Sequence, residues 1–367
     1  MSSSSAFTIH PAYLLYLDEV RAQVRLGSMP GDAQLDDVET AVLSLIKTCA
    51  TGPATVHELT RAINARGSSV TPAMVADAVD TLLTEEILVR ADDAALMAND
   101  DDGMSRQRLF LSLLSPMPSV LPGQQAIEKA TATVIGVGAI GSVVLTLLAR
   151  AGMRRFNLID GDRVEQSNLH RQILFGYSDI GRSKVAAAAD ALRRVCPDCD
   201  IREDCRTISS SEQAEELMPD SGIVICSADT PRREIRRWVN QGAVRRGVPV
   251  AFGGLLETAC VIGPLVVPNV TACWACALEA MGDQPAAVPG LMAGAPAWGP
   301  LVAIAGGLLA GDVLRLLGGL GEPATLGATV LFDPTRQILA RTPWSPSREC
   351  PVCASPAGVL ADATAAR

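Results

Sequence analysis

The sequence lacks an excess of positive charge. Lysine and arginine total 31 against 40 aspartates and glutamates, a formal net charge of -9, and a nucleic-acid surface needs clustered cations to neutralise phosphates. No nucleic-acid partner is expected. A secretory signal is missing too, because MSSSSAFTIH has neither a basic start nor an apolar core. Long apolar runs are scarce: Leu301 to Gly311 spans eleven residues, and crossing a bilayer takes roughly twenty. No membrane partner is expected, and the expected location is the cytoplasm. In that reducing compartment the ten cysteines argue against a disulfide framework and close pairs read as metal sites. Internal repeats are also missing.

The chain does have 367 residues and 48% hydrophobic content, ample to bury the core of one large domain beside a smaller one. Residues 1–92 read as a winged-helix-like module for recognising and clamping a peptide. FTIHPAYLLYL and VRAQVRL pattern as the strands of a hairpin, about three helices follow, and ILVRAD supplies a short strand. In TVHELTRAINARG, Thr55 caps a helix with Glu58 three residues on, and Gly67 stops it. Thr71 caps the next helix with Pro72 at its first position, and Val75, Ala78, Val79, Leu82 and Leu83 share one face. In an acidic protein such a module suits a peptide on a strand edge or in a helix cleft better than a DNA groove. A purely structural appendage competes with that reading.

Residues 93–130 read as a linker carrying one short helix, given DDGMS and the proline-rich SPMPSVLPG. From Thr131 strands and helices alternate: TATVIGVG, a helix to Arg150, FNLID, a helix near 183–195, GIVICSA and PVAFGGL. The alternation predicts an α/β domain over 131–355, a Rossmann-like, mostly parallel sheet with crossover helices. The tail, 356–367, reads as flexible.

VIGVGAIGS sets Gly136, Gly138 and Gly141 between a strand and a helix. Backbone N–H groups and a positive helix end can then meet a nucleotide phosphate without side-chain obstruction. NAD and FAD suit that loop as well as ATP. Asp160, nineteen residues after Gly141, ends the next strand, where a carboxylate can accept both ribose hydroxyls. The choice between nucleotides comes from LIDGDRVEQSNLHRQILF, with Asn168, Arg171 and Gln172, and from Lys184 in DIGRSKV. Hydride transfer has no need of an arginine and a lysine there, whereas a leaving pyrophosphate does. Asp229 in VICSADTP follows a strand, at the sheet edge where ligands collect; helix capping is the competing role.

Cys273 and Cys276 (CWAC) with Cys350 and Cys353 (CPVC) form two knuckles able to present four thiolates to one tetrahedral zinc. Four sulfurs leave no open position, so this zinc staples the C-terminal strand to the domain. Cys196 and Cys199 (CPDC) compete on spacing and are read as a chance helix end. Cys226 and Cys260, in apolar strand-like surroundings, are read as inert core.

Over roughly residues 105–355 the sequence resembles the ThiF, MoeB and HesA family, relatives of ubiquitin-activating enzymes. The resemblance implies an ATP-dependent adenylyltransferase that converts a carboxylate into an acyl adenylate and releases pyrophosphate. It implies that Asp160 holds ribose, that Asn168, Arg171 and Lys184 contact phosphates, that Gln172 supports the loop and that Asp229 holds magnesium. Thr230 stands where relatives usually carry Asn. Met104, Ser105, Arg106 and Gln107 resemble a Tyr-Ser-Arg-Gln segment whose arginine enters the partner subunit's ATP site. That implies a homodimer with Arg106 as an arginine finger in trans, with Arg108 as its rival. Some relatives carry a thioester cysteine after the first knuckle; no cysteine occurs between Cys276 and Cys350, so no enzyme thioester is expected there. A winged-helix-like module ahead of intact adenylation residues is similar in organisation to the microcin C and pantocin biosynthetic adenylyltransferases, which implies a ribosomally made precursor peptide as partner. Two alternatives stay open: an activator of a Gly-Gly-ended sulfur-carrier protein, and a non-catalytic leader-peptide scaffold.

Overall fold

The computed structural model describes residues 5–354 except 19, 28–33, 37, 100, 102, 232–233 and 283–295. The tail read as flexible, 356–367, lies outside the described residues. Two compact units adjoin in sequence at Pro122 and Gly123.

The first unit runs through β1 (Ala6–Ile9), β2 (Leu15–Asp18), β3 (Gln23–Leu26), β4 (Gln34–Leu35), α1 (Thr40–Thr51), β5 (Ala54–Thr55), α2 (Val56–Asn64), α3 (Pro72–Thr84), β6 (Leu88–Arg90), α4 (Ala91–Ala98) and α5 (Ser105–Leu111). The expected hairpin forms between β2 and β3, with Tyr16 opposite Arg25. The first expected strand, however, is two. Tyr13 donates its N–H to the His10 carbonyl at 3.2 Å, closing a turn around Pro11, and proline cannot continue a ladder. β1 therefore leaves the hairpin and pairs with β5 and β6. Both helix starts form as read. Thr55 Oγ1 accepts the Glu58 N–H at 3.3 Å while Glu58 Oε2 accepts the Thr55 N–H at 2.8 Å. Thr71 Oγ1 accepts the Met74 N–H at 3.3 Å. Leu45, Ile46, Leu59, Ile63, Val75 and Val79 bury their side chains on Phe7 and Leu88 to make this unit's core.

The segment read as a linker with one helix holds three: α4, α5 and α6 (Met117–Lys129). Pro118 sits in the first turn of α6, where its missing N–H has no partner to lose. Ala94, Met97, Leu111, Val120 and Ile127 are buried, enough apolar anchors to fold what the prolines and aspartates make look like coil.

The second unit contains β7 (Thr131–Ile135), α7 (Ala139–Arg150), β8 (Arg155–Ile159), α8 (Lys184–Val195), β9 (Asp200–Asp204), α9 (Ser211–Glu216), β10 (Ile223–Cys226), α10 (Glu234–Arg246), β11 (Val250–Leu256), β12 (Ala259–Val266), α11 (Trp274–Met281), α12 (Gly299–Gly318), β13 (Ala328–Asp333) and β14 (Ile338–Pro343). One sheet takes the order β14-β13-β12-β11-β10-β7-β8-β9. From β9 to β11 neighbours are parallel, and β12, β13 and β14 add antiparallel. The α/β, mostly parallel sheet is thus as expected. Ile223, Val224, Ile225 and Cys226 are all buried, the continuous apolar run of a central parallel strand covered on both faces.

Two expectations need correction. The apolar segment measured as eleven residues belongs to a 20-residue helix, α12, long and apolar enough by length and composition to cross a membrane. It packs on α7, β11 and β12. There the buried Asp312 accepts the Ala324 and Thr325 N–H groups at 2.9 and 2.8 Å. Cys196 and Cys199 are not a plain helix end but a disulfide. Cys196 closes α8 by donating to Leu192, and Cys199 donates to the Cys196 carbonyl at 3.2 Å, a turn that turns one sulfur back on the other.

Candidate active site

β7 and β10 are neighbours, yet between them the chain visits β8 and β9 on one side before returning to the other. Loops leaving the two strands diverge there, which opens a crevice at the carboxyl edge of the sheet. Gly136 adopts φ +88°, and a Cβ on it would stand 2.6 Å from the Ala228 nitrogen. A larger residue is excluded by both conformation and space. Ser227 Oγ ties the loops by donating to the Gly136 carbonyl at 2.7 Å. A Cβ on Gly141 would collide with that same carbonyl. The first turn of α7 therefore lies directly against the loop, with its unsatisfied N–H groups facing the crevice.

Asp160 follows β8. Its Oδ2 accepts the Val137 N–H and its Oδ1 the Asp162 N–H, both at 2.9 Å. Burial raises its carboxyl above the ordinary range, with the Lys184 charge opposing the shift. Lys184 opens α8 and is buried. Its Nζ lies 2.7 Å from Asp162 Oδ2.

Asn168, Arg171 and Gln172 belong to one irregular segment. Asn168 is buried and closes it, accepting the Glu165 N–H at 3.1 Å and donating to Ser167 Oγ at 3.3 Å. Arg171 Nη1 donates to the Ser167 carbonyl at 2.7 Å. Gln172 is buried beside the glycine loop, since a Cβ on Gly138 would lie 3.4 Å from its Nε2. Its Oε1 has no hydrogen-bond partner among the described residues, so an acceptor is held ready for a ligand hydroxyl or amine. The segment rests on the start of α12, where a Cβ on Gly299 would stand 2.8 Å from the His170 carbonyl.

Asp229 is exposed beyond β10, and its Oδ1 accepts Thr230 Oγ1 at 3.3 Å. An exposed carboxylate at this edge suits a magnesium ion that keeps water and phosphate ligands. The structure thus brings Gly136, Gly138, Gly141, Asp160, Gln172 and Lys184 around one crevice, with Asp229 one residue from the Ala228 contact. Arg106 belongs to the first unit, exposed in the first turn of α5. Arg108, its rival, is buried and donates to the Asn99 carbonyl.

Two residues escaped the sequence reading. Asp162 is one; DGD after a strand gave no hint that its second aspartate would hold Lys184. Arg236 is the other. Its Nη2 donates to the Gly253 carbonyl at 3.2 Å, and at the Cys226 thiol its charge opposes both burial and Asp229. Four arginines within nine residues of Asp229, Arg232, Arg233, Arg236 and Arg237, were the available signal.

Cys273, Cys276, Cys350 and Cys353 converge with all four sulfurs within 4.8 Å of one another. Sγ–Sγ distances include 3.6 Å between Cys273 and Cys350 and 3.4 Å between Cys276 and Cys353. Four soft donors at tetrahedral spacing fit zinc. Burial pushes the Cys273 thiol up to about 11, while at Cys350 burial is outweighed by backbone N–H donors and the thiol is lowered. The Ser347 N–H donates to Cys276 Sγ at 3.4 Å. Cys226 and Cys260 are buried, and burial raises both thiols, Cys226 to about 11, which fits the inert core role.

Residues 112–352 match the ThiF family. The chain is 32% identical over 242 residues to the sulfur carrier protein adenylyltransferase of Thermus thermophilus, covering 65% of this chain and 87% of that one. Among solved structures, Escherichia coli MccB with ATP superposes with a TM-score of 0.77 at 21% identity, covering 95% of this chain and 99% of that one. MccB in complex with N-formylated MccA superposes with a TM-score of 0.79 at 21% identity, over the same shares.

Proposed function

The chain belongs to the ThiF family and is an ATP-dependent adenylyltransferase, and from that premise we propose that it activates a carboxylate of a ribosomally made precursor peptide. The supporting observation is the N-terminal unit. MccB matches 95% of this chain, which takes in most of residues 1–122, whereas the Thermus alignment covers 65%. We read residues 1–92 as a winged-helix-like clamp built on α1, α2 and α3, residues 93–130 as the arginine-finger segment, and 131–355 as the adenylation domain.

In this reading a carboxylate oxygen of the peptide, C-terminal or side-chain, attacks the α-phosphorus of ATP. The bond to the bridging oxygen breaks, and pyrophosphate leaves with its electron pair. Gly136, Gly138 and Gly141 let backbone N–H groups and the α7 terminus approach the phosphates. Asp160 accepts the ribose hydroxyls. Asn168, Arg171 and Lys184 contact the phosphates and stabilise charge that builds on the departing oxygens, with Gln172 supporting the loop that carries Asn168 and Arg171. Asp229 would hold Mg2+, which neutralises charge on the polyphosphate. Arg106 would reach the site of a second copy in a homodimer. The four-cysteine zinc is structural, and direct attack on the adenylate, or its release, replaces any enzyme thioester in the loop after Cys276.

A second reading, activation of a Gly-Gly-ended sulfur carrier, is favoured by the 32% identity to the Thermus enzyme. ATP–pyrophosphate exchange separates the two. Exchange that requires an Asn-ended or Glu-containing peptide supports peptide activation, and exchange that requires a Gly-Gly-ended carrier replaces it.

A further inference from the structure

We propose that Asn240, on α10, is a positioning residue of the four-cysteine site, its side-chain N–H donating to the Cys273 sulfur once zinc makes that sulfur a thiolate; this rests on reading the cluster as a zinc site. Asn240 is fully buried. It shares α10 with Val239 and Ala243, which belong to one apolar core with Val248, Phe252, Trp274 and the knuckle cysteines. Asparagine is a poor helix former, and its carboxamide is costly to bury without partners. Half of it is accounted for. Oδ1 accepts the Trp274 N–H at 2.9 Å, and because only the oxygen end can accept, that bond fixes which way the amide is turned. Trp274 follows Cys273 directly, so the bond sets the carboxamide against the first knuckle.

The other half is unanswered. Asn240 Nδ2 is buried and has no hydrogen-bond partner among the described residues. Trp344 packs against the same core, and its Nε1 is equally without one. Two buried donors around one cluster call for an acceptor richer in electrons than a neutral thiol. Zinc creates that acceptor by displacing the thiol protons, and four thiolates around one dication leave the site net negative. Such a site needs outer N–H groups to orient its ligands and to spread that charge. Cys273 is the sulfur on which Asn240 acts. Burial raises that thiol, and the Cys276 N–H and the Asn240 side chain oppose the rise. Asn240 thereby joins α10 to a staple otherwise built from the start of α11 and the C-terminal CPVC turn.

The test reads the zinc affinity of the full chain by chelator competition and, in the cobalt-substituted protein, the sulfur-to-cobalt charge-transfer band. Asn240→Asp keeps the shape and the acceptor for Trp274 but has no N–H, and Asn240→Leu removes both groups without adding charge. Both variants should bind zinc roughly ten- to a hundredfold more weakly than wild type. The band of Asn240→Leu should move to lower energy, because a thiolate that loses a hydrogen bond gives up its electrons more readily. That band is read on folded, metal-loaded protein, so it stands even where a variant is less stable. Wild-type zinc affinity in Asn240→Asp, or a band left in place by Asn240→Leu, overturns the proposal. So does weakening confined to Asn240→Leu, which assigns the effect to the Trp274 bond. Wild-type protein that takes up no zinc removes the zinc reading itself. One zinc per chain, held equally by wild type and both variants, removes the role of Asn240 and leaves the zinc standing.

Discussion

Lys184 keeps its ammonium 2.7 Å from Asp162 Oδ2, the lysine side chain 10% exposed and the aspartate 71%. The cation assigned to the phosphates thus has a protein partner two residues beyond the assigned ribose acceptor, Asp160. An exposed carboxylate is a weak partner, contributing about 0–1 kcal/mol, so a polyphosphate can take the ammonium over while Asp162 turns to water. Lys184→Ala should reduce pyrophosphate exchange by at least about a hundredfold, as losing an oxyanion donor does. Asp162→Asn should instead lower the KM for ATP, by no more than about fivefold. Loss of exchange in Asp162→Asn would show that the pair itself is required.

The finger assignment predicts complementation. Arg106→Ala and Asp229→Ala are each expected to be nearly inactive. Mixing them after dissociation should restore about a quarter of wild-type exchange, because half the dimers are mixed and one of their two sites carries neither change. Mixtures that stay inactive would place Arg106 in its own subunit's site or out of catalysis.

The cysteine cluster predicts one zinc per chain by elemental analysis. Cys350→Ser should lose it and lower stability by several kcal/mol, read as a fall in Tm. Exchange by the zinc-free protein below its Tm should survive, since a four-sulfur site activates no water. Full stability without zinc would contradict the staple.

Asp333, closing β13, gives a pH dependence. Thr335 Oγ1 donates to it at 2.7 Å, and the Arg336 N–H and Thr258 Oγ1 donate at 3.1 Å. The Thr335 hydroxyl leads in holding its carboxyl down at about 2. A depressed carboxylate adds stability that is complete above its unfolded value of about 4 and is lost as pH falls through the folded value. The Tm gap between wild type and Asp333→Ala should therefore be constant near neutrality and narrow from pH about 4 to about 2. A gap independent of pH would rule out the ionised carboxylate as its source.

The parts legible in the sequence were those written locally. Thr55 and Glu58 specify their cap over one turn, and Gly136 its strand-to-helix loop over a few residues. The buried strand β10 announces itself by four apolar residues in a row. β9 does not: DIRED is polar because one face and one edge meet solvent, so it carries no apolar period, and it joins the sheet only through β8. β14 is exposed throughout and equally silent. The Pro11 turn that parts β1 from the hairpin is local, but the partner β1 then takes, β6, lies some eighty residues away. Distance hid Asp162 in the same way, because its partner lies 22 residues on. The Cys196–Cys199 disulfide was hidden by spacing shared with the zinc knuckles.

The central claim is that a peptide carboxylate becomes an acyl adenylate, and hydroxylamine trapping measures it most directly. Full-length protein, ATP, magnesium, an Asn-ended or Glu-containing peptide and hydroxylamine should yield AMP and a peptide hydroxamate at one carboxylate, seen by mass spectrometry. Asp229→Ala should yield neither. A hydroxamate formed solely on a Gly-Gly-ended carrier, or AMP release with no hydroxamate on any acceptor, would contradict the account.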